Sequence, residues 1–210
     1  MSATQEEALE RLGPLWLVPV TAQAFDTEQV FGRSAPLILE VGCGMGATTV
    51  EQAAADPHSD VLAVDVHTPG IGNLLALVEQ EQLTNVRAVH GDAVEVIDRM
   101  LPQKSLSGFR SYFPDPWPKM KHRNRRLIQR EFVDLLVPRL RPGAFVHCAT
   151  DVSDYAEQMV RILGSHPDLE NPFGGLAPRP ADRPITKFEG RAIAAGHQVS
   201  DVWVTRRLKP

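Results

Sequence analysis

The sequence predicts an α/β fold in which a parallel sheet is doubly wound and covered by helices on both faces. Three observations carry that reading. Short apolar runs alternate with helical patterns along the chain, and the first run closes in a glycine-rich loop that opens onto a helix. The second run ends in a carboxylate 23 positions beyond the first glycine of that loop. A length of 210 residues suits one such domain over 36–210, preceded by an N-terminal helix and lead-in over 1–35.

Residues 1–35 read as a short acidic helix followed by an irregular, proline-containing lead-in. Leu37-Ile38-Leu39-Glu40-Val41 is a continuous apolar run closed by glycine, the pattern of a strand buried on both faces. Gly42-Cys43-Gly44-Met45-Gly46 follows, then an alanine-rich helix from Ala47 to Ala55 stopped by Pro57. Val61 to Asp65 is the second strand, 70–82 the next helix, and Asn85 to His90 a third strand ending at Gly91-Asp92. Val94 to Leu101 fits a short amphipathic helix and Leu106 to Phe113 the fourth strand. A helix is expected from Asn124 to Val137, with Ile128, Phe132, Leu135 and Leu136 on one face. Arg141-Pro142-Gly143 reads as a turn into a fifth strand, Ala144 to Ala149. Asp151 or Ser153 should cap the helix carrying Val152, Tyr155, Ala156, Met159 and Leu163. Residues 164–184, with five prolines and three glycines, predict a long irregular and mobile excursion. A polar segment from Thr186 to His197 and a last strand from Val199 to Thr205 complete the chain.

Composition narrows the class of function. Hydrophobic residues at 43% and charged residues at 23% describe an ordinary globular protein. The two cysteines, Cys43 and Cys148, lie far apart, which predicts free thiols in a reducing cytoplasm. The seven histidines show no paired ligand spacing, so no metal is expected. Three glutamates in residues 1–11 do not suit a signal peptide, and Leu15 to Val20 is too short to span a membrane. A cytoplasmic protein without membrane attachment follows.

The net charge of −4 does not suggest a polyanion partner, but its distribution does. Lys119, Lys121, Arg123, Arg125, Arg126 and Arg130 supply six cations with no carboxylate between Pro116 and Arg130, leaving the rest of the chain at −10. Affinity for nucleic acid follows the phosphates met at such a patch, not the total charge. Just ahead of it stands Phe113-Pro114-Asp115-Pro116-Trp117-Pro118-Lys119. Prolines 114, 116 and 118 remove three backbone donors and fix φ, so this is a stiff loop presenting Asp115 and Trp117. Trp117 could stack on a base or plug the core.

The glycine loop is spaced G-x-G-x-G, not the G-x-G-x-x-G of a dinucleotide site. Glu40 beside it suits a cationic ligand better than a pyrophosphate. An aminoacyl ammonium and a sulfonium, as in S-adenosylmethionine, fit, with Asp65 for the ribose and Asp92 for the adenine amino group. Each carboxylate alone could equally be a strand-end cap or turn residue. Three at the ends of successive strands favour a nucleoside pocket.

From about Phe31 to Arg206 the sequence resembles the bacterial tRNA (guanine-N7)-methyltransferases. The stretches that carry the resemblance are Glu40-Val41-Gly42-Cys43-Gly44-Met45-Gly46, Val66-His67-Thr68-Pro69-Gly70, Gly91-Asp92-Ala93 and the proline loop with its basic run. Ala149-Thr150-Asp151 and Thr186-Lys187-Phe188-Glu189 complete the set. The resemblance implies a Rossmann-like sheet, mostly parallel with an antiparallel C-terminal strand, and the chain is expected to act as a monomer or homodimer, between which the sequence does not decide. It implies methyl transfer from S-adenosylmethionine to N7 of a variable-loop guanine in tRNA. Glu40, Gly42, Gly44, Gly46, Asp65, Asp92 and Asp115 match its cofactor contacts, and Asp115 its catalytic residue. Lys119, Asp151, Thr186, Lys187, Phe188 and Glu189 match substrate contacts, and Lys121, His122, Arg123, Asn124, Arg125 and Arg126 the RNA-contacting run. Two departures stand out. The family shows glutamate where Asp65 stands, and a longer arginine-containing segment where this chain has a short acidic one. Glu189 is expected to face a flipped-out guanine, the alternative being a pairing with Arg191 or Lys187. The competing readings are a nicotinamide oxidoreductase, disfavoured by the glycine spacing, and a non-catalytic RNA-binding relative.

Overall fold

The computed structural model describes residues 1–208, which fall into two compact units divided after Pro102. In the first unit, β1 (Leu37–Val41), β2 (Asp60–Asp65) and β3 (Val86–His90) pair in parallel in the order β3-β2-β1. Every residue of β1 is buried, as a run without polar alternation requires. Around these strands come α1 (Ala3–Trp16), α2 (Thr27–Phe31), α3 (Ala47–Ala55), α4 (Thr68–Gln80) and α5 (Ala93–Arg99). One core joins Ala8 and Leu12 of α1, Val50 and Ala53 of α3, Ile71, Leu74, Leu75 and Val78 of α4, and Val61, Ala63, Val86 and Ala88 of the strands.

The acidic N-terminal helix is longer than the sequence suggests and is not an appendage. Ser2 and Gln5 close a capping box at its start. It lies tight against Gly72 of α4, where an added Cβ would sit 2.4 Å from the Gln5 carbonyl oxygen. Arg11 and Glu79 pair across the same two helices at 2.5 Å. The chain then runs beside β3, where Leu17 bridges Ala88 and the Val18 N–H donates to the Ala88 carbonyl at 2.8 Å.

The second unit carries β4 (Leu106–Tyr112) and β5 (Leu140–Thr150) in parallel, then β7 (Ser200–Arg206) antiparallel to β5 and a two-residue β6 (Leu169–Glu170) antiparallel to β7. The helices are α6 (Arg130–Leu136), α7 (Ser153–Gly164) and α8 (Lys187–Ala194). Four expectations need correction here. The Arg141-Pro142-Gly143 turn lies inside β5, where a register shift opposite Leu106 and Gly108 absorbs the extra residues as a bulge. The helix expected from Asn124 to Val137 is a 3-10 turn over Met120–Arg125 and then α6, with an extended break between them. The break has a cause. The Ile128 N–H donates to the Tyr155 hydroxyl and its carbonyl accepts from Gln158, both on α7, so its helical partners are replaced. Neither Asp151 nor Ser153 caps α7, whose N-cap is Val152 with its N–H on the Thr150 hydroxyl. The stretch 164–184 is mostly irregular but is tied down by β6, by an Ala177–Asp201 bridge and by Asn171, which holds the Gly175 carbonyl and the Phe173 N–H.

Candidate active site

In the first unit the glycine loop leaves β1 and enters α3. Gly46 is the N-cap of α3 at φ 80°, and an added Cβ would lie 2.7 Å from Leu74, so both conformation and space require glycine. At Gly42 and Gly44, also at positive φ, an added Cβ would meet nothing within 4 Å. The loop therefore presents bare backbone toward open space. Behind it, Glu40 is buried at 3% exposure and accepts from the Thr49 hydroxyl of α3 at 2.9 Å.

Asp65 is the clamp of this loop. One carboxylate oxygen accepts the Gly44 N–H at 2.8 Å and the other the His67 N–H at 2.9 Å. The shorter side chain is thus held at both of its oxygens. Cys43, whose Sγ lies 4.0 Å from Asp65, is buried, and burial with the nearby Glu40 and Asp65 charges pushes its thiol well up. It is no nucleophile at neutral pH. Asp92 caps α5 through the Val94 N–H at 2.7 Å and remains exposed. At Gly70, in the first turn of α4, an added Cβ would stand 2.1 Å from the Gly44 carbonyl oxygen. Gly70→Ala should therefore cost about 1–3 kcal/mol of stability, read by chemical denaturation. An unchanged midpoint would show that loop and helix do not bear on each other.

In the second unit, β4 and β5 end side by side, Tyr112 opposite Ala149, so Asp115 and Asp151 leave neighbouring strand ends. Asp115 is exposed on the proline loop, between Phe113 at φ 54° and Trp117 at φ 40°. Trp117 is not a core plug. It is half-buried, with the Arg125 guanidinium 5.0 Å over its ring and His122 at its edge. Lys119, Lys121, Asn124 and Arg125 are exposed. The acid that the basic run lacks in sequence comes from α7, where Asp154 pairs with Arg123 at 2.6 Å and with Arg126 at 2.9 Å. Arg126 is 2% exposed, which removes it from any surface that could meet phosphates.

Thr186 caps α8 by accepting the Glu189 N–H, Lys187 and Phe188 are exposed, and Phe188 stacks on Phe113 with centroids 6.4 Å apart. Glu189 is paired, but with neither of the anticipated partners. Arg183 grips both its carboxylate oxygens at 2.6 and 2.9 Å and Arg179 donates at 2.8 Å, leaving Glu189 1% exposed. Arg183 continues to Asp201, which accepts from His147, whose other ring nitrogen meets the Tyr112 hydroxyl. Because a carboxylate only accepts, His147 Nε2 carries the proton and Nδ1 accepts from Tyr112. Burial holds His147 below its ordinary range, against the partial opposition of Asp201, so the ring is neutral. Sequence reasoning missed this chain of groups. Asp201, a carboxylate inside an apolar strand, was its available signal; Arg183 in a proline-rich stretch offered none.

Comparison with known proteins places this geometry. A family model described as "Putative methyltransferase" matches residues 34–202. A tRNA (guanine-N(7)-)-methyltransferase of Streptomyces avermitilis is 53% identical over 100% of this chain and 73% of its own length. One from Chromobacterium violaceum is 49% identical over 99% and 92% respectively. Among solved structures, the 16S rRNA methyltransferase KamB aligns with TM-score 0.60 at 18% identity over 89% of this chain and 96% of that one. TrmN from Thermus thermophilus aligns at 0.58 and 16% over 97% and 48%. These last two share the fold alone. With half its residues identical to such enzymes over nearly its whole length, and with a methyltransferase fold around the glycine loop, the chain belongs to the tRNA (guanine-N(7)-)-methyltransferase family.

Proposed function

We infer that the protein transfers a methyl group from S-adenosylmethionine to N7 of a guanine in tRNA. Beyond family membership, the observation that supports this most is the pair of carboxylates, Asp115 and Asp151, leaving adjacent strand ends next to exposed cations. The residues of the first unit fit the cofactor: a buried carboxylate, two glycines whose side-chain space is open, and a clamped aspartate at the end of β2. Glu40 and the backbone of Gly42, Gly44 and Gly46 would hold its aminoacyl end, Asp65 its ribose and Asp92 its adenine. When bound, it supplies a methyl group on a sulfonium.

Guanine N7 has an in-plane lone pair and no proton, so no general base is required. The protein's work is to align N7 and to favour the positive charge that the base acquires. Asp115 acts electrostatically, and Asp151 accepts from guanine N1–H and the 2-amino group, which adenine does not present in that pattern. The Glu189 carboxylate, engaged by two arginines, supports α8, so that direct base reading falls to Asp151, half-buried with His197 3.8 Å away. Lys119, Lys121 and Arg125 meet the RNA backbone, which sets the protein to work in the cytoplasm where tRNA is modified.

Incubation with labelled S-adenosylmethionine and unmodified tRNA, followed by nucleoside analysis, should place the label in 7-methylguanosine. Label in another nucleoside, or none, would sink the reading. Lys121→Glu with Arg125→Glu, both exposed, should weaken tRNA binding without changing affinity for the demethylated cofactor. The slope of log affinity against log salt should flatten by roughly 0.7–0.9 for each phosphate that the variant no longer neutralises. An unaltered slope would assign the RNA to another surface.

A further inference from the structure

The proline loop has few backbone donors with which to hold its own shape. Its prolines have no N–H to give, and the aromatic residues at its two ends, Phe113 and Trp117, sit at positive φ, a conformation costly for bulky side chains. Its first end is held by the Phe113 N–H on the Ala149 carbonyl and by Phe188, and its middle by a cation from the run downstream. Arg126 Nε donates to the Pro116 carbonyl at 2.7 Å, Nη1 to Gln158 at 2.8 Å and Nη2 to Asp154 at 2.9 Å. Its guanidinium lies 4.6 Å over the ring of Tyr155. The socket is itself braced, because Tyr155 and Gln158 take the backbone N–H and carbonyl of Ile128, two residues on.

We propose that Arg126 is a positioning residue for methyl transfer, fixing the loop that carries Asp115 onto α7, and not one of the cations that bind tRNA. The planar fork satisfies three acceptors in three directions while its face rests on an aromatic ring. Lysine has the charge but not that geometry. Pro116 adjoins Asp115, so a loosened Arg126 shifts the carboxylate directly, and a displacement of about 1 Å costs on the order of 10²-fold in rate. The inference rests on the activity proposed above, but its first readout does not.

The loop is reported by Trp117 fluorescence in a protein with Trp16 and Trp203 replaced by phenylalanine. Arg126→Lys and Arg126→Gln should raise acrylamide quenching of Trp117, and Gln158→Ala should do so to a smaller extent. In the native-tryptophan background the same variants should lower the single-turnover rate tenfold or more at saturating tRNA. Affinity for tRNA and for the demethylated cofactor should stay within about twofold, and the salt slope of tRNA binding should be unchanged even in Arg126→Gln. Quenching that does not change in any variant would overturn the proposal whatever the activity. So would a flattened salt slope, which would make Arg126 a phosphate ligand, or a rate loss that merely tracks the folded fraction in thermal melts. A wild-type protein inactive on tRNA, with quenching raised as expected, would fault the assigned reaction and leave the strut in place.

Discussion

Replacing Asp115 by asparagine is expected to lower the single-turnover rate of methyl transfer by about 10²–10³-fold, the usual cost of removing one aligned electrostatic group from a reacting centre. Affinity for the demethylated cofactor should change far less, because the role proposed for Asp115 is at the reacting base. The logic is electrostatic. The product guanine is cationic, and asparagine can still accept a hydrogen bond but carries no charge to stabilise it. Measured under saturating cofactor and tRNA, the variant separates this from loss of binding. Asp115→Asn turning over at the wild-type rate would reduce the proline loop to scaffolding.

The second large effect concerns stability. Arg183→Ala should destabilise the fold by about 3–5 kcal/mol, because it removes the shared cation from two buried carboxylates, Glu189 and Asp201, each 1–2% exposed, leaving them only Arg179 and neutral His147. In a chain of this size that is a fall in Tm of roughly 6–20 °C, visible by circular dichroism. Arg183→Lys should recover only part of it, the fork being replaced by a single point charge. The same groups set the acid limit. Burial alone would raise Glu189, but hydrogen bonds and charge from Arg179 and Arg183 outweigh it and hold it below its ordinary 4.5. A carboxylate depressed in the fold contributes stability above its unfolded pKa and loses it as pH falls through the folded value. His147, held below 6.5 and neutral, works in the same direction, since the unfolded chain takes up its proton first as pH drops beneath 6.5. Stability should therefore decline from about pH 6.5 downward and fall more steeply near pH 4. A Tm flat from pH 7 to pH 4, or unchanged in Arg183→Ala, would contradict this account.

The strands and the glycine loop were legible because their signals are local: an unbroken apolar run, glycines where φ must be positive, a carboxylate at a strand end. The predicted β1 matches the observed Leu37–Val41, and the first three strands arrive in the expected order. What was not legible depends on residues distant in sequence. The helix predicted across Asn124–Val137 has good periodicity, yet Ile128 is claimed by Tyr155 and Gln158, 27 and 30 positions away. The basic run showed no acids of its own, but Asp154 supplies one from another helix, so charge counting overstated how many cations face outward. Glu189 looked like a reader of bases because nothing in its neighbourhood announced Arg183 as its partner. Spacing could not reveal that Asp65 and Gly44 are clamped together either. It could only put them in one crevice.

The brief pairing of Leu17 and Val18 with Ala88 has a colloidal consequence. β3 has β2 on one side, and the backbone of its other side is the kind of exposed template onto which a foreign strand can add. A single N–H from Val18 occupies the Ala88 carbonyl there, and the following residue is Pro19, which has no hydrogen to donate and cannot lengthen the pairing into a full strand. The lead-in therefore works as an edge guard: it covers the middle of β3 and ends its own strand before it can recruit another chain.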